Sequence, residues 1–201
     1  MLLKSFLLLI FSLLLISCEV KSQENQSIQS ANPEAKISQK IADLKDFIKK
    51  SNYNSEKAFL IDFSISSSKF RFFVVDLKSM TIIQKALVSH GDGSEDGKVN
   101  GTIKFSNKDG SHCSSLGKYI VEEKYKGKFG MSYRLTGLDE TNSNARSRAI
   151  VLHRLSCVPD VEQKDEICLS FGCPMVSDNF FKILEQHIDK SDKKILIYAY
   201  N

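Results

Sequence analysis

A short segment near the C-terminus places a thiol in a turn suited to nucleophilic chemistry. Glycine and proline flank the cysteine in Ser170-Phe171-Gly172-Cys173-Pro174, and together they favour a tight, exposed backbone turn. Such a turn presents the sulfur outward. It also directs the N–H groups of Gly172 and Cys173 towards an oxygen that gains negative charge when a carbonyl is attacked. The segment therefore predicts a cysteine nucleophile with its own oxyanion donors.

An earlier histidine has the chemistry to serve as the base for this thiol. His153 follows the apolar run at residues 149–152. A thiol with a pKa of ~8.5 is mostly protonated at neutral pH, and a neighbouring imidazole lowers that value or accepts the proton during attack. Each residue also has a structural alternative, because Cys173 could form a disulfide and His153 could be a hydrogen-bonded residue at a sheet edge. Together they are chemically sufficient for acyl transfer.

The first residues have the composition of an export signal. Lys4 precedes a run at residues 6–16 that is apolar except for Ser12, and this run is too short to cross the ~30 Å hydrocarbon core of a bilayer. The sequence Leu-Ile-Ser-Cys at residues 15–18 is similar to the bacterial lipobox, whose cysteine is diacylated and becomes the N-terminus. We expect residues 1–17 to be a signal peptide and Cys18 to be the lipid anchor of an envelope protein, with the periplasmic side favoured. An ordinary secretory signal is the alternative.

The remaining cysteines lie where disulfides persist if the chain is exported. A nucleophile must stay reduced, so Cys157 and Cys168 are the favoured pair, since they bracket the segment that leads to Cys173. Three free thiols, including Cys113, remain an open alternative. A zinc site formed by His153 with the last three cysteines is disfavoured, because the spacing before Cys173 exceeds the usual two intervening residues. We expect no metal or cofactor.

Composition limits the remaining possibilities. A chain of 201 residues with 42% hydrophobic content can bury the core of one domain. Its 28 basic and 24 acidic residues are scattered and give a formal net charge of +4, without a basic block. We therefore expect a monomer that does not bind nucleic acid.

The N-terminal third predicts a tether and a helix. Residues 18–31 are rich in Ser, Gln, Asn and charge, and cannot bury enough apolar surface to fold. Asn32 and Pro33 are typical of a helix start, and an amphipathic helix is predicted within residues 32–55. A helix that packs on its own domain is favoured over one that lies on a membrane, since the stripe is narrow. The apolar stripe consists of Ile37, Ile41, Leu44 and Ile48.

Residues 56–201 predict one mainly β domain. Runs rich in Ile, Val, Phe and Thr at 58–65, 70–75, 80–88, 118–122, 149–155 and 194–200 indicate strands. One C-terminal helix is predicted over 178–187, with Asp178 as its N-cap. The irregular stretch 91–117 is typical of a functional or mobile loop, and His90 and His112 in this region are expected to be solvated or hydrogen-bonded. The pattern favours a β-sandwich or barrel-like domain.

Several of these motifs together resemble one family. His153, followed after a loop by Ser170-x-Gly172-Cys173, is similar to the signature of the L,D-transpeptidase catalytic domains, a β fold that remodels bacterial peptidoglycan. Ser-Leu-Gly-Lys-Tyr at 115–119 matches the turn and strand that precede it. The Gly-Cys-Pro branch of that family fits best, over most of the chain from about residue 58. That branch also resembles this chain at 90–91, 105–107, 114–117 and Arg148.

The resemblance implies a role for each matching residue. Cys173 would be the nucleophile, and His153 the general base and then acid. Gly172 and Cys173 would donate to the oxyanion. The main-chain carbonyl of Arg154 would orient the imidazole, although Gly or Ser is usual there, and a long charged side chain would narrow the groove.

The matching segments also imply substrate contacts. Ser170, Phe171 and Tyr119 are expected to contact the substrate. Met175 departs from the broader pattern, in which arginine is common, so any substrate contact made by that arginine is missing or has moved.

The implied reaction is acyl transfer on peptidoglycan stem peptides. Cys173 would attack the carbonyl of the third residue of a tetrapeptide, expel the terminal D-alanine and hold the product as a thioester. An amine acceptor would give a cross-link, an envelope-protein amine an attachment, and water a carboxypeptidase reaction. The alternative is a non-catalytic peptidoglycan-binding or structural lipoprotein that keeps the fold. An enzyme is favoured, because a binding module does not need a nucleophile and a base.

Overall fold

The computed structural model describes residues 33–96, 98 and 101–201, so the predicted signal peptide, Cys18 and the tether lie outside the described residues. The described part of the chain contains two α-helices, two short 3₁₀ helices and eight strands. The helices are α1 (Pro33–Lys49) and α2 (Asp178–Asp189). The strands are β1 (Lys57–Asp62), β2 (Phe72–Asp76), β3 (Thr81–Ala86), β4 (Gly117–Gly127), β5 (Gly130–Gly137), β6 (Val151–Arg154), β7 (Met175–Val176) and β8 (Leu196–Tyr200).

The eight described strands form one mixed sheet. Their order is β3-β2-β1-β8-β4-β5-β6-β7. The pairs β1–β8 and β6–β7 are parallel, and the other neighbours are antiparallel. The parallel pairing sets His153 of β6 opposite Met175 of β7. The register therefore brings the chain just after Cys173 beside the predicted base.

The sheet separates two apolar clusters, and strand alternation explains why. In β1, Phe59 and Ile61 belong to the cluster that contains α2, whereas Ala58 and Leu60 belong to the cluster that contains α1. Full burial of each large apolar side chain stabilises the fold by about 1.5–3 kcal/mol. The central strands are covered on both faces and hold the site at one end of the sheet rigidly.

The N-terminal helix packs on the sheet through its apolar stripe. Ile41, Leu44 and Ile48 are buried in the cluster that includes β1, β2 and β8. The helix ends at Lys49, short of the predicted segment 32–55. Neither described helix combines the length and the apolar character that a bilayer crossing requires.

The predicted mainly β class is confirmed, and the described part of the chain has two α-helices, whereas the cap of α2 and two of the strands differ from the prediction. Ser177 rather than Asp178 caps α2, because its Oγ accepts a hydrogen bond from the N–H of Phe180 at 3.1 Å. Strand β7, which has two residues, was not predicted. Strand β5 was not predicted either, since its sequence Gly-Met-Ser-Tyr-Arg-Leu-Thr-Gly has one β-branched residue and two terminal glycines. Pairing with β4 and β6 places it in the sheet.

Candidate active site

The Ser170–Cys173 turn is closed by its own serine. Ser170 Oγ donates to the carbonyl of Cys173 at 2.7 Å and accepts from the N–H of Gly172 at 3.1 Å. Gly172 has φ +106°, and a Cβ there would lie 2.7 Å from the carbonyl oxygen of Cys113. Glycine is therefore required at this position.

These bonds bear on the two predicted oxyanion donors. The N–H of Gly172 is already bound to Ser170, so it is not available as an oxyanion donor in this arrangement. The N–H of Cys173 has no acceptor in the described part of the chain and remains the donor of the turn. Each N–H group makes one strong hydrogen bond, so the role predicted for Gly172 requires that its bond to Ser170 breaks.

His153 is held in the middle of a three-strand segment. It lies opposite Ser132 of β5 and Met175 of β7, and it is buried. Its Nδ1 lies 3.1 Å from the carbonyl oxygen of Arg154, as the resemblance implies. A carbonyl only accepts, so Nδ1 carries the hydrogen and Nε2 of the neutral ring keeps a free lone pair. The face of the ring stacks on Phe129, with centroids 4.7 Å apart.

Both predicted catalytic side chains line one cavity of about 380 Å³ at the β6–β7 end of the sheet. The lining also contains Ser170 and Phe171, and most of it is apolar. The cavity therefore joins the turn and the histidine strand, which are separate in sequence. Its other lining residues are Phe129, Arg148, Ala149, Leu155, Leu169 and Met175.

Electrostatics keep both groups neutral at rest. Burial raises the pKa of the Cys173 thiol above its usual value, although the N–H of Val151 and the charge of Arg148 oppose the shift. Burial lowers the pKa of His153 below its usual 6.5, and its bond to the Arg154 carbonyl opposes that shift. The resting pair is therefore a thiol and a neutral imidazole rather than a thiolate and an imidazolium.

The Arg154 side chain does not narrow the cavity. Its guanidinium pairs with Asp178 at the start of α2, with Nη1 and Oδ1 3.0 Å apart. Arg154 is not among the described residues that line the cavity. The main-chain carbonyl of Arg154 thus contacts His153, whereas its side chain points to the start of α2.

Tyr119, which was predicted to contact the substrate, is buried and is not among the described residues that line the cavity. The ring is buried, and its hydroxyl donates to the carbonyl of Ser115 at 2.7 Å. Burial raises the pKa of this hydroxyl to about 12. Tyr119 can position the chain around Ser115 but is not open to a ligand in the cavity.

The structure contains a disulfide between Cys157 and Cys168, with Cα atoms 6.1 Å apart. Cys113 and Cys173 are the free cysteines of the described residues. The disulfide uses two sulfur atoms of the disfavoured zinc site, and no group of three His, Cys, Asp or Glu side chains in residues 33–96, 98 and 101–201 is arranged to hold a metal. Cys113 is buried, and its thiol lies 3.1 Å from the carbonyl oxygen of Gly93.

Two residues of the site were given no role from sequence. Arg148 lines the cavity and holds the loop before β4 through the carbonyl oxygens of Ser106 and Cys113. Phe129 sits in the β4–β5 turn and reaches His153. The glycines that flank this turn, Gly127 and Gly130, were the available signal for a hairpin.

The two loop histidines have different surroundings. His90 is buried and bonds Arg71 through Nδ1 and Glu95 through Nε2. His112 is half exposed, and its ring lies 4.5 Å from that of Phe171 at the rim of the turn. His90 is thus hydrogen-bonded as expected, and His112 touches the rim of the cavity.

Comparison with known proteins identifies the class. The family model for the L,D-transpeptidase catalytic domain matches residues 29–200, and the chain belongs to this family. The resemblance found in the sequence is therefore confirmed. No curated protein matches the chain.

Three solved structures are similar to this chain at low sequence identity. An L,D-transpeptidase from Mycobacterium smegmatis has 11% identity and a TM-score of 0.44, over 73% of this chain and 59% of that one. The helical cell shape determining protein Pgp2 from Campylobacter jejuni has 13% identity and a TM-score of 0.41, over 82% and 56%. An L,D-transpeptidase from Mycobacterium tuberculosis H37Rv has 14% identity and a TM-score of 0.37, over 73% and 58%. The matches span less than two thirds of the length of these chains.

Proposed function

We propose that this protein is a cysteine acyltransferase that acts on peptidoglycan stem peptides. The observation that carries the proposal is the shared cavity of Cys173 and His153. Membership of the L,D-transpeptidase family supports the class of substrate. The apolar lining supports acyl transfer, because apolar side chains exclude water and so protect a thioester from hydrolysis.

In the first half of the reaction, the neutral pair reacts without prior ionisation. The Cys173 sulfur attacks the amide carbonyl of the third stem residue while Nε2 of His153 takes the thiol proton. The Cys173 N–H stabilises the oxyanion. The C–N bond then breaks, the imidazolium returns its proton to the leaving amine of the terminal D-alanine, and a thioester remains on Cys173.

In the second half, an acceptor replaces the sulfur. His153 takes a proton from the acceptor, and the new bond forms at the thioester carbonyl. The C–S bond then breaks, and the imidazolium gives its proton to the leaving sulfur, which restores the thiol. An amine acceptor yields a cross-link, whereas water yields a shortened stem. Product analysis with and without an added amine distinguishes these outcomes.

The test is thioester formation followed by intact mass. Purified protein incubated with tetrapeptide-bearing muropeptides should gain the mass of the acyl fragment, and Cys173→Ala should gain nothing. Cys113→Ala is the matched control and should still form the adduct, since the Cys113 thiol is buried against Gly93. An unmodified wild-type protein, or an adduct that survives Cys173→Ala, contradicts the proposal.

We further propose that the protein is held in the cell envelope by a diacylated Cys18, on the lipobox-like Leu-Ile-Ser-Cys at residues 15–18. Mass spectrometry of the membrane fraction should find the mature N-terminus acylated at this cysteine. Cys18→Ser should move the protein to the soluble fraction. An unmodified peptide that contains Cys18 would refute the anchor and favour an ordinary secretory signal.

A further inference from the structure

One charged side chain stands out in the otherwise apolar cavity. Of the ten described residues that line it, Arg148 alone has a permanent charge. The residues around it are Phe129, Ala149, His153, Leu155, Leu169, Ser170, Phe171, Cys173 and Met175. An isolated cation in an apolar wall is costly, so a ligand that supplies a negative charge would be favoured.

The bonds of Arg148 fix its position without neutralising it. Nη1 donates to the carbonyl of Ser106 at 2.9 Å, and Nη2 donates to the carbonyl of Cys113 at 2.6 Å. Longer bonds of 3.3 and 3.4 Å reach the hydroxyls of Ser115 and Ser111. All four acceptors are uncharged. Arg148 forms no ion pair within the described residues, and its Nε–H has no acceptor there, so its charge is not neutralised by the protein.

The guanidinium also lies close to the nucleophile. Nη2 is 3.3 Å from the point where a Cβ on Gly172 would be, one residue before Cys173. Its charge acts on the thiol, since it lowers the pKa of Cys173 against the effect of burial. A negative group bound at Arg148 would therefore sit next to the scissile bond.

The geometry points to Arg148 as the residue that binds the free C-terminal carboxylate of the acyl donor. This inference rests on the proposed function. In a donor that ends one residue beyond the scissile amide, the carboxylate carbon is three bonds from the attacked carbonyl carbon and within about 4 Å of it. Arg148 would thus select donors with one residue after the scissile bond, and would reject chains that continue or end in a neutral group.

The test combines two donors with three proteins. Tetrapeptide stems with a C-terminal carboxylate or carboxamide are compared by kcat/KM for release of the terminal residue. Wild type should prefer the acid by roughly ten- to a hundredfold, as expected for a charge-assisted hydrogen bond. Arg148→Gln should react with both donors at similar rates. Arg146→Gln should keep the wild-type preference, because that guanidinium pairs with Glu123 on the surface.

A binding measurement separates recognition from chemistry and from folding. Titration calorimetry with Cys173→Ala should give tighter binding of the acid than of the amide, and adding Arg148→Gln should remove the difference. If Arg148→Gln fails to fold, Arg148→Lys replaces it, and the acid preference should fall but persist.

Three results would overturn the inference. The first is equal use of both donors by wild type. The second is an acid preference that survives Arg148→Gln. The third is an equal loss of kcat/KM for both donors in Arg148→Gln, together with a raised pKa for the alkylation of Cys173. This result would show that Arg148 stabilises the thiolate and does not bind the carboxylate. Failure of the proposed function looks different, because then wild type forms no thioester with either donor while the calorimetric comparison still measures carboxylate recognition.

Discussion

Two cavities of similar size are each lined by a buried histidine and by an arginine that donates to main-chain carbonyls. They differ in whether the histidine keeps a ring nitrogen free of hydrogen bonds. One, of about 380 Å³, contains His153 and Arg148. The other, of about 360 Å³, contains His90 and Arg71. Burial lowers the pKa of both histidines. The direction of the pKa shift therefore does not distinguish the proposed catalytic histidine, His153, from His90.

The hydrogen bonds make the distinction. A guanidinium only donates, so Nδ1 of His90 accepts from Arg71, and the Nε2–H of the neutral ring donates to Glu95. Both ring nitrogens are thus occupied. His153 has the opposite tautomer, with Nδ1–H bound to the Arg154 carbonyl and Nε2 free. The first arrangement is suited to structure and the second to proton transfer.

The largest predicted effect is the loss of the free imidazole. His153→Ala should slow thioester formation by roughly 10²- to 10⁴-fold, since general base catalysis is removed. Rapid-mixing mass spectrometry of a single turnover measures the rate. His90→Gln should keep a rate close to that of wild type. Similar losses in the two variants would break the comparison between the cavities.

The next effect is on stability and concerns the second cavity. Arg71 is buried, its pKa is lowered to about 9 by burial, and it donates to the carbonyls of Val88 and Ile65 as well as to His90. Arg71→Met leaves these acceptors unpaired and should lower the free energy of unfolding by about 3 kcal/mol or more. Urea unfolding measures it. Arg146→Met, an exposed control, should show no measurable change, and an equally stable Arg71→Met would deny the structural role.

The pH dependence of the single-turnover rate is a further test of the difference between His153 and His90. His153 must be neutral to accept a proton, so the rate should rise with pH. Because burial lowers the pKa of His153 below 6.5, the rate should reach half its maximum below pH 6.5. Alkylation of Cys173 should have its midpoint above pH 9. Because the folded pKa values of both histidines are lowered, each contributes stability that is lost as the pH falls. The melting temperature at each pH therefore controls for unfolding.

His90→Gln tests which histidine sets this profile. Its kinetic midpoint should equal that of wild type, while its acid unfolding should change. A kinetic midpoint that moves in His90→Gln would assign the profile to the second cavity instead.

The parts of the site that local sequence determines were predictable. The Ser170–Cys173 turn depends on a glycine and a proline within the segment, and His153 follows an apolar run. Long-range contacts determine the rest. The burial of Tyr119 depends on packing that spacing does not encode. The bond that occupies the Gly172 N–H, by contrast, is local, since it comes from Ser170 two residues earlier.

Arg148 is a charged residue whose role could not be predicted from the sequence for the same reason. Its acceptors lie more than thirty residues earlier in the chain, at Ser106 and Cys113, where the sequence predicted an irregular loop. A lone arginine before a strand is typical of a solvated residue. Only the fold shows that this arginine faces a cavity and has no carboxylate partner in the described residues.

The smallest predicted effect concerns how firmly the free imidazole is held. Phe129 stacks on His153 with an interplanar angle of 19° and is itself 44% exposed. Such ring contacts contribute about 0.5–1.5 kcal/mol, so Phe129→Ala should slow thioester formation by about two- to tenfold. Phe129→Tyr keeps the ring and should keep the rate. His90 has both ring nitrogens bound and no such stacking contact in the described residues. A loss of this size in Phe129→Ala but not in Phe129→Tyr would show that His153 is positioned by the aromatic ring, whereas His90 is positioned by hydrogen bonds.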